Sequence, residues 1–108
     1  MHDCAPCQQF TPVFTELYNE VNVDEKVIEV VYLSGDKTQA EYDDYYGKMP
    51  WLALPRGDPR IRNLAQKYNV KGVPQLIIVK PDGTLVDKEG VKRIKNEGPV
   101  AIEEYLTN

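Results

Sequence analysis

The sequence predicts an α/β sandwich, a mixed β-sheet flanked by helices in three layers, and three observations predict it. Two short, β-branched apolar runs, Val27 to Leu33 (VIEVVYL) and Gln75 to Lys80 (QLIIVK), read as strands. Stretches with apolar residues at helical spacing precede, separate and follow them. A Pro81-Asp82-Gly83 turn then folds the chain back into a hairpin partner, Thr84 to Asp87. The order is helix, strand, helix, helix, strand, strand, helix. It calls for parallel strands joined by right-handed helical crossovers, with one antiparallel strand at the edge.

Each element has a local reason. Phe10, Val13, Phe14, Leu17, Tyr18 and Val21 give the first helix, Cys4 to Val21, one apolar face, and Pro12 inside it predicts a kink. VIEVVYL is almost wholly apolar, so it is expected to be buried on both faces. Thr38 to Tyr46 reads as a short helix with Ala40 and the tyrosines turned inward, stopped by Gly47. Met49 to Pro55 is apolar but bracketed by prolines, which suits a buried loop or a short edge strand. Asp58 is a natural N-cap with Pro59 at the first helical position, and Ile61, Leu64, Ala65 and Tyr68 follow on one face. Glu89 to Gly98 is polar and reads as a loop. Pro99 opens a last helix carrying Val100, Ile102, Tyr105 and Leu106.

A chain of 108 residues fits one domain. Its net charge of −4, with scattered Lys and Arg, argues against nucleic acid as a partner. No apolar run approaches membrane-spanning length, and Met1-His2-Asp3 carries no signal-peptide pattern, so no membrane partner is expected. There is no Gly-rich phosphate loop. His2 is the single histidine, which removes most Ser-His and Cys-His triads. A structural zinc site needs about four ligands, normally Cys or His, and two cysteines and one histidine fall short of it. No metal and no cofactor are expected.

Cys4-Ala5-Pro6-Cys7 carries the chemistry. Two cysteines two residues apart at a helix start can form and break a disulfide across one turn. They are the only cysteines, so all thiol chemistry must run through them. The absence of a secretory pattern suits a reducing compartment.

Three signals together resemble the thioredoxin superfamily: the Cys4-Ala5-Pro6-Cys7 motif opening a proline-bearing helix, Lys71-Gly72-Val73-Pro74 directly before a strand, and the Pro-Asp-Gly hairpin. The segment Tyr45-Tyr46-Gly47-Lys48-Met49-Pro50-Trp51-Leu52-Ala53-Leu54-Pro55 resembles the tryparedoxin and nucleoredoxin branch, and the likeness covers nearly the whole chain. It implies a single thioredoxin-like domain over residues 1–108. Members of the branch usually carry tryptophan where this chain has Asp3. They also have a β-strand ahead of the motif, in the middle of the sheet. That strand is expected to be missing here, and the domain N-terminally truncated.

The resemblance implies a thiol–disulfide oxidoreductase that reduces protein disulfides. Cys4, at the positive end of the helix, would be the nucleophile, and the more buried Cys7 the resolving thiol. Ala5-Pro6 would set the stiffness of the turn. Val73-Pro74 is expected to be a cis bond lying against the motif, with the Val73 backbone pairing an extended substrate. Trp51 is expected to be partly exposed at the substrate surface, with Tyr45 and Tyr46 mainly packing. Asp3 would compete with Cys4 for helix N–H groups and make its thiol less acidic. His2 is expected to be an exposed terminal residue. Implied partners are disulfide-containing proteins, peroxidases among them, and an unidentified reductase or small dithiol as electron donor. The implied setting is cytoplasmic, with the nucleus as a second location. The alternative is a redox-dependent protein-interaction module with weak or no reductase activity.

Overall fold

The computed structural model describes residues 1–107. The first helix, α1 (Ala5–Val21), is 17 residues long and runs unbroken through Pro12, which lies on its exposed side. Its buried face is Cys7, Phe10, Phe14, Leu17 and Tyr18, whereas Val13 is half exposed. This face is the centre of the molecule. Phe10, Phe14, Leu17 and Tyr18 pack with Trp51, Ile94, Ala101 and Ile102, and Ile28, Val30, Tyr32 and Leu76 close over them.

Of the VIEVVYL run only β1 (Val31–Tyr32) forms a strand, paired in parallel with β2 (Leu52–Ala53). Its expected burial on both faces is not met. Ile28, Val30 and Tyr32 turn inward, while Val27, Val31 and Leu33 remain exposed. An uninterrupted apolar run cannot distinguish a strand covered on one face from one covered on two. Between β1 and β2 lies α2 (Gln39–Tyr46), capped by Thr38, whose Oγ1 accepts the Glu41 N–H at 3.2 Å. Tyr42 and Tyr45 are buried, but Ala40 points outward.

α3 (Pro59–Lys67) starts at Asp58, whose Oδ1 accepts the Arg60 N–H at 2.8 Å. β3 (Ile78–Val79) and β4 (Leu85–Asp87) form the antiparallel hairpin. Among the described residues no ladder joins β1–β2 to β3–β4, so the single mixed sheet expected from sequence is present as one parallel and one antiparallel pair.

The polar segment read as a loop is a helix, α4 (Gly90–Glu97). Val91 and Ile94, three apart, are enough to anchor it, and Ile94 is only 2% exposed. Arg93 pairs with Glu97 one turn on at 2.7 Å, and Gly98 ends the helix with φ 58°. α5 (Pro99–Leu106) follows and inserts Ala101 and Ile102, while Val100 and Leu106 face solvent. α4 packs against both α1 and α5.

Candidate functional site

Cys4 is the N-cap of α1, in extended conformation with φ −139° and ψ 103°. Its Sγ accepts the Cys7 N–H at 3.2 Å, and its carbonyl accepts the Gln8 N–H at 3.0 Å. Ala5 and Pro6 form the exposed first turn, where a proline costs nothing because N–H groups there lack helical partners. Cys4 and Cys7 are joined in a disulfide with their Cα atoms 5.2 Å apart. Cys4 is 9% exposed and Cys7 4%, so the cap cysteine is the more accessible of the pair.

The pair is packed with Tyr45, and Met1, Tyr32 and Met49 border it. The Tyr45 hydroxyl bonds Thr11 Oγ1 on α1 at 2.6 Å, which ties α2 to α1. Burial raises the Tyr45 pKa, against the lowering effect of that bond, and keeps it a neutral hydroxyl. Next to this cluster lies a buried carboxylate, Asp36. It accepts bonds from the His2 N–H at 2.5 Å, the Tyr32 hydroxyl at 2.7 Å and Ser34 Oγ at 2.7 Å. Burial pushes the Asp36 carboxyl up, but these donors outweigh it and hold it below the ordinary carboxylate value. Asp36 therefore fastens the segment carrying Cys4 to the end of β1. A lone Asp after an apolar run was its only trace in the sequence.

Asp3 does not act as a cap. Its carboxylate meets His2 Nδ1 at 3.1 Å, and the helix start is left to Cys4. Nor is His2 a loose terminal residue. Its N–H is held by Asp36, its carbonyl by Gln8 Nε2, and its ring stands among Asp3, Glu41 and Asp44. The hydrogen bond with Asp3, helped by all three carboxylates against some desolvation, raises the His2 pKa.

The Val73-Pro74 bond is cis. It lines a cleft of about 350 Å³ together with Gly72, Leu76, Lys88 and Val91, and the cysteines are not among the lining residues. Val73 is 54% exposed. Trp51 departs from expectation. It is 7% exposed, with its ring 5.2 Å from Phe14 and 5.5 Å from Tyr18. A large aromatic ring buries more area against those rings than a surface position offers. Tyr46 holds this segment in place by donating to the Trp51 carbonyl at 2.6 Å. Among the described residues no helix is long and apolar enough to cross a membrane.

With this geometry in place, the comparisons are consistent with one another. Residues 1–85 match the thioredoxin-like family model. The chain is 43% identical over 88 residues to a probable nucleoredoxin 1 of Arabidopsis thaliana, covering 82% of this chain and 15% of that protein. It is 40% identical over 94 residues to a tryparedoxin of Trypanosoma brucei brucei, covering 84% of this chain and 64% of that one. A solved tryparedoxin II, in complex with glutathionylspermidine, superposes with a TM-score of 0.79 at 32% identity, over 87% of this chain and 66% of its own. The chain thus spans a small part of the plant relative and under two thirds of the trypanosomal one.

Proposed function

The chain belongs to the thioredoxin-like family, and from that premise we propose that residues 1–108 act as one thiol–disulfide oxidoreductase unit that reduces protein disulfides. The observation that carries this reading is the Cys4–Cys7 bridge at the head of α1, with Cys4 Sγ already accepting a helix N–H. In the reduced protein the same N–H and the helix dipole favour a Cys4 thiolate. That thiolate attacks one sulfur of a substrate disulfide, forms a mixed disulfide and expels the other sulfur as a thiolate. Cys7 then attacks Cys4 Sγ and expels the second substrate thiolate. Two electrons pass to the substrate and the Cys4–Cys7 bridge closes. An external donor of two electrons, a reductase or a small dithiol or pair of thiols, must reopen it. The tryparedoxin solved with glutathionylspermidine supports a small thiol as that donor. Peroxidases are proposed among the substrates, and the reducing cytoplasm and nucleus as the setting.

Ala5 and Pro6 shape the turn between the sulfurs. The backbone of Val73, an exposed residue before the cis Pro74, is the proposed docking edge for an extended substrate. Trp51 has no part in this contact, because it is buried. The test is insulin reduction driven by dithiothreitol. Wild type accelerates it, and Cys4→Ser falls to the rate without protein. Acceleration that survives in Cys4→Ser defeats the reading.

A second reading, a redox-dependent interaction module, is favoured by one observation. Val31 and Leu52 are register partners in the β1–β2 ladder and are 48% and 57% exposed, with Leu33 beside them. Capture of a partner in one redox state without insulin turnover would support this reading over the first.

A further inference from the structure

We propose that Lys88 is a specificity-determining residue of the cleft at Val73-Pro74, and that it selects substrate disulfides carrying a carboxylate beside the reacting cysteine. The inference rests on the reductase reading above and names the class of substrate that this site prefers. The cleft, about 350 Å³, is walled by two segments: Gly72 to Leu76 ahead of β3, and Lys88, Glu89 and Val91 at the junction of β4 and α4. That volume lies in the range of sites that take up a ligand. An extended chain sends alternate side chains to opposite sides. A substrate segment laid along the Val73 backbone therefore turns a residue near its cysteine toward the second wall, where Lys88 stands.

The lining sets the sign of the preference. Val73, Pro74, Leu76 and Val91 are apolar, and Gly72 and Gln75 are uncharged, which leaves two charges, Lys88 and Glu89. Lys88 is half-buried and Glu89 exposed. A charge on the open side is screened by water and salt, whereas one among apolar walls acts through a lower effective dielectric. Lys88 therefore outweighs Glu89. Its ammonium has no ion pair or hydrogen bond among the described residues, in contrast to Arg60 and Arg93, which pair with Asp58 and Glu97. The carboxylate before it in sequence, Asp87, is already taken by the Tyr105 hydroxyl at 2.5 Å and the Glu89 N–H at 2.9 Å. The carboxylates on the other side of the molecule, Asp3, Glu41 and Asp44, gather on His2, and none of them lines the cleft. An unpartnered cation in a cleft of this kind favours an anionic side chain on whatever lies there.

The test uses three short cysteine peptides, each as its symmetric disulfide, that differ only in the residue after the cysteine: Glu, Gln or Lys. The reduced protein is mixed with each, and closure of the Cys4–Cys7 bridge is followed by alkylation mass shift. Every rate is divided by that of dithiothreitol with the same peptide, which cancels the intrinsic reactivity of the disulfide. Wild type favours the Glu peptide over the Gln peptide by about two- to fivefold, the scale of a partly exposed ion pair. The preference shrinks in about 0.5 M salt. Lys88→Gln brings the ratio close to one, Lys88→Glu inverts it and Lys88→Arg retains it. Lys92→Gln, which removes an exposed neighbouring charge of α4 outside the cleft, keeps the wild-type ratio. Circular dichroism confirms that each variant is folded. The proposal is overturned if wild type reduces the three peptides at equal normalised rates, or if the preference survives in Lys88→Gln. It is also overturned if Lys92→Gln removes the preference as fully as Lys88→Gln, since the attraction would then be diffuse. Equal rates leave the proposed reductase standing, whereas no reduction of any peptide sinks that reading and this inference with it.

Discussion

Replacing Gly90 with alanine sets two known effects against each other. In a helix alanine is favoured over glycine by up to about 1 kcal/mol, so propensity alone predicts a gain for Gly90→Ala in α4. Packing predicts the reverse. A Cβ built on Gly90 would lie 2.6 Å from Ile78 Cδ1, 2.7 Å from the Leu76 carbonyl oxygen and 2.8 Å from Leu76 Cγ. The carbonyl cannot simply retreat, because it accepts the Gly90 N–H at 3.2 Å. Forcing a methyl into such a contact costs roughly 1–3 kcal/mol. Taking the middle of that cost, about 2 kcal/mol, against the full propensity gain of about 1 kcal/mol leaves a net loss of about 1 kcal/mol. That loss lowers a urea midpoint by about 0.5–1 M at an m-value of ~1–2 kcal/mol/M. Gly72→Ala is the control. Nothing lies within 4 Å of its added Cβ, so stability should hold or rise by up to about 1 kcal/mol. A Gly90→Ala protein as stable as wild type, with the same m-value, would refute the packing argument. The position bears on the proposed docking edge because Glu89 and Val91, on either side of Gly90, line the cleft with Val73-Pro74.

Asp36→Ala strands the Tyr32 and Ser34 hydroxyls and releases the His2 N–H, at about 2–4 kcal/mol in chemical denaturation. Because the folded pKa of Asp36 is depressed, its contribution is complete above the ordinary carboxylate range and lost as pH falls through the folded value. Thermal melts between pH 7 and 3 should therefore fall less steeply for Asp36→Asn than for wild type; parallel curves would remove Asp36 from the account. Phe14→Ala opens the core where Phe10 and Trp51 meet, and should cost about 3–5 kcal/mol by urea unfolding.

The helices were readable because their punctuation is local. Thr38, Asp58-Pro59 and Pro99 announce three starts, and each cap or first turn is found where its residue predicts it. α4 was not readable, because the large apolar side chains it turns to the core are Val91 and Ile94 and most of its other side chains are polar, like a loop. Strand extents also escaped prediction. Propensity marks residues that favour strands, but a ladder needs a neighbour, and Val27 to Val30 belong to no strand. At the site, the cysteines could be read from spacing. The hold of Asp36 on His2 and the approach of Glu41 and Asp44 to its ring could not, since each depends on residues more than thirty positions apart meeting in space.

The placing of Trp51 decides what light can report about this molecule. It is the sole tryptophan, and it shares its surroundings with Phe14, Tyr18 and Ile102 rather than with the sulfur pair, which sits against Tyr45. Its ultraviolet emission is therefore a gauge of whether the interior is intact. Opening and closing of the bridge needs a separate probe, such as alkylation mass shift, and the two signals can be followed independently in one sample.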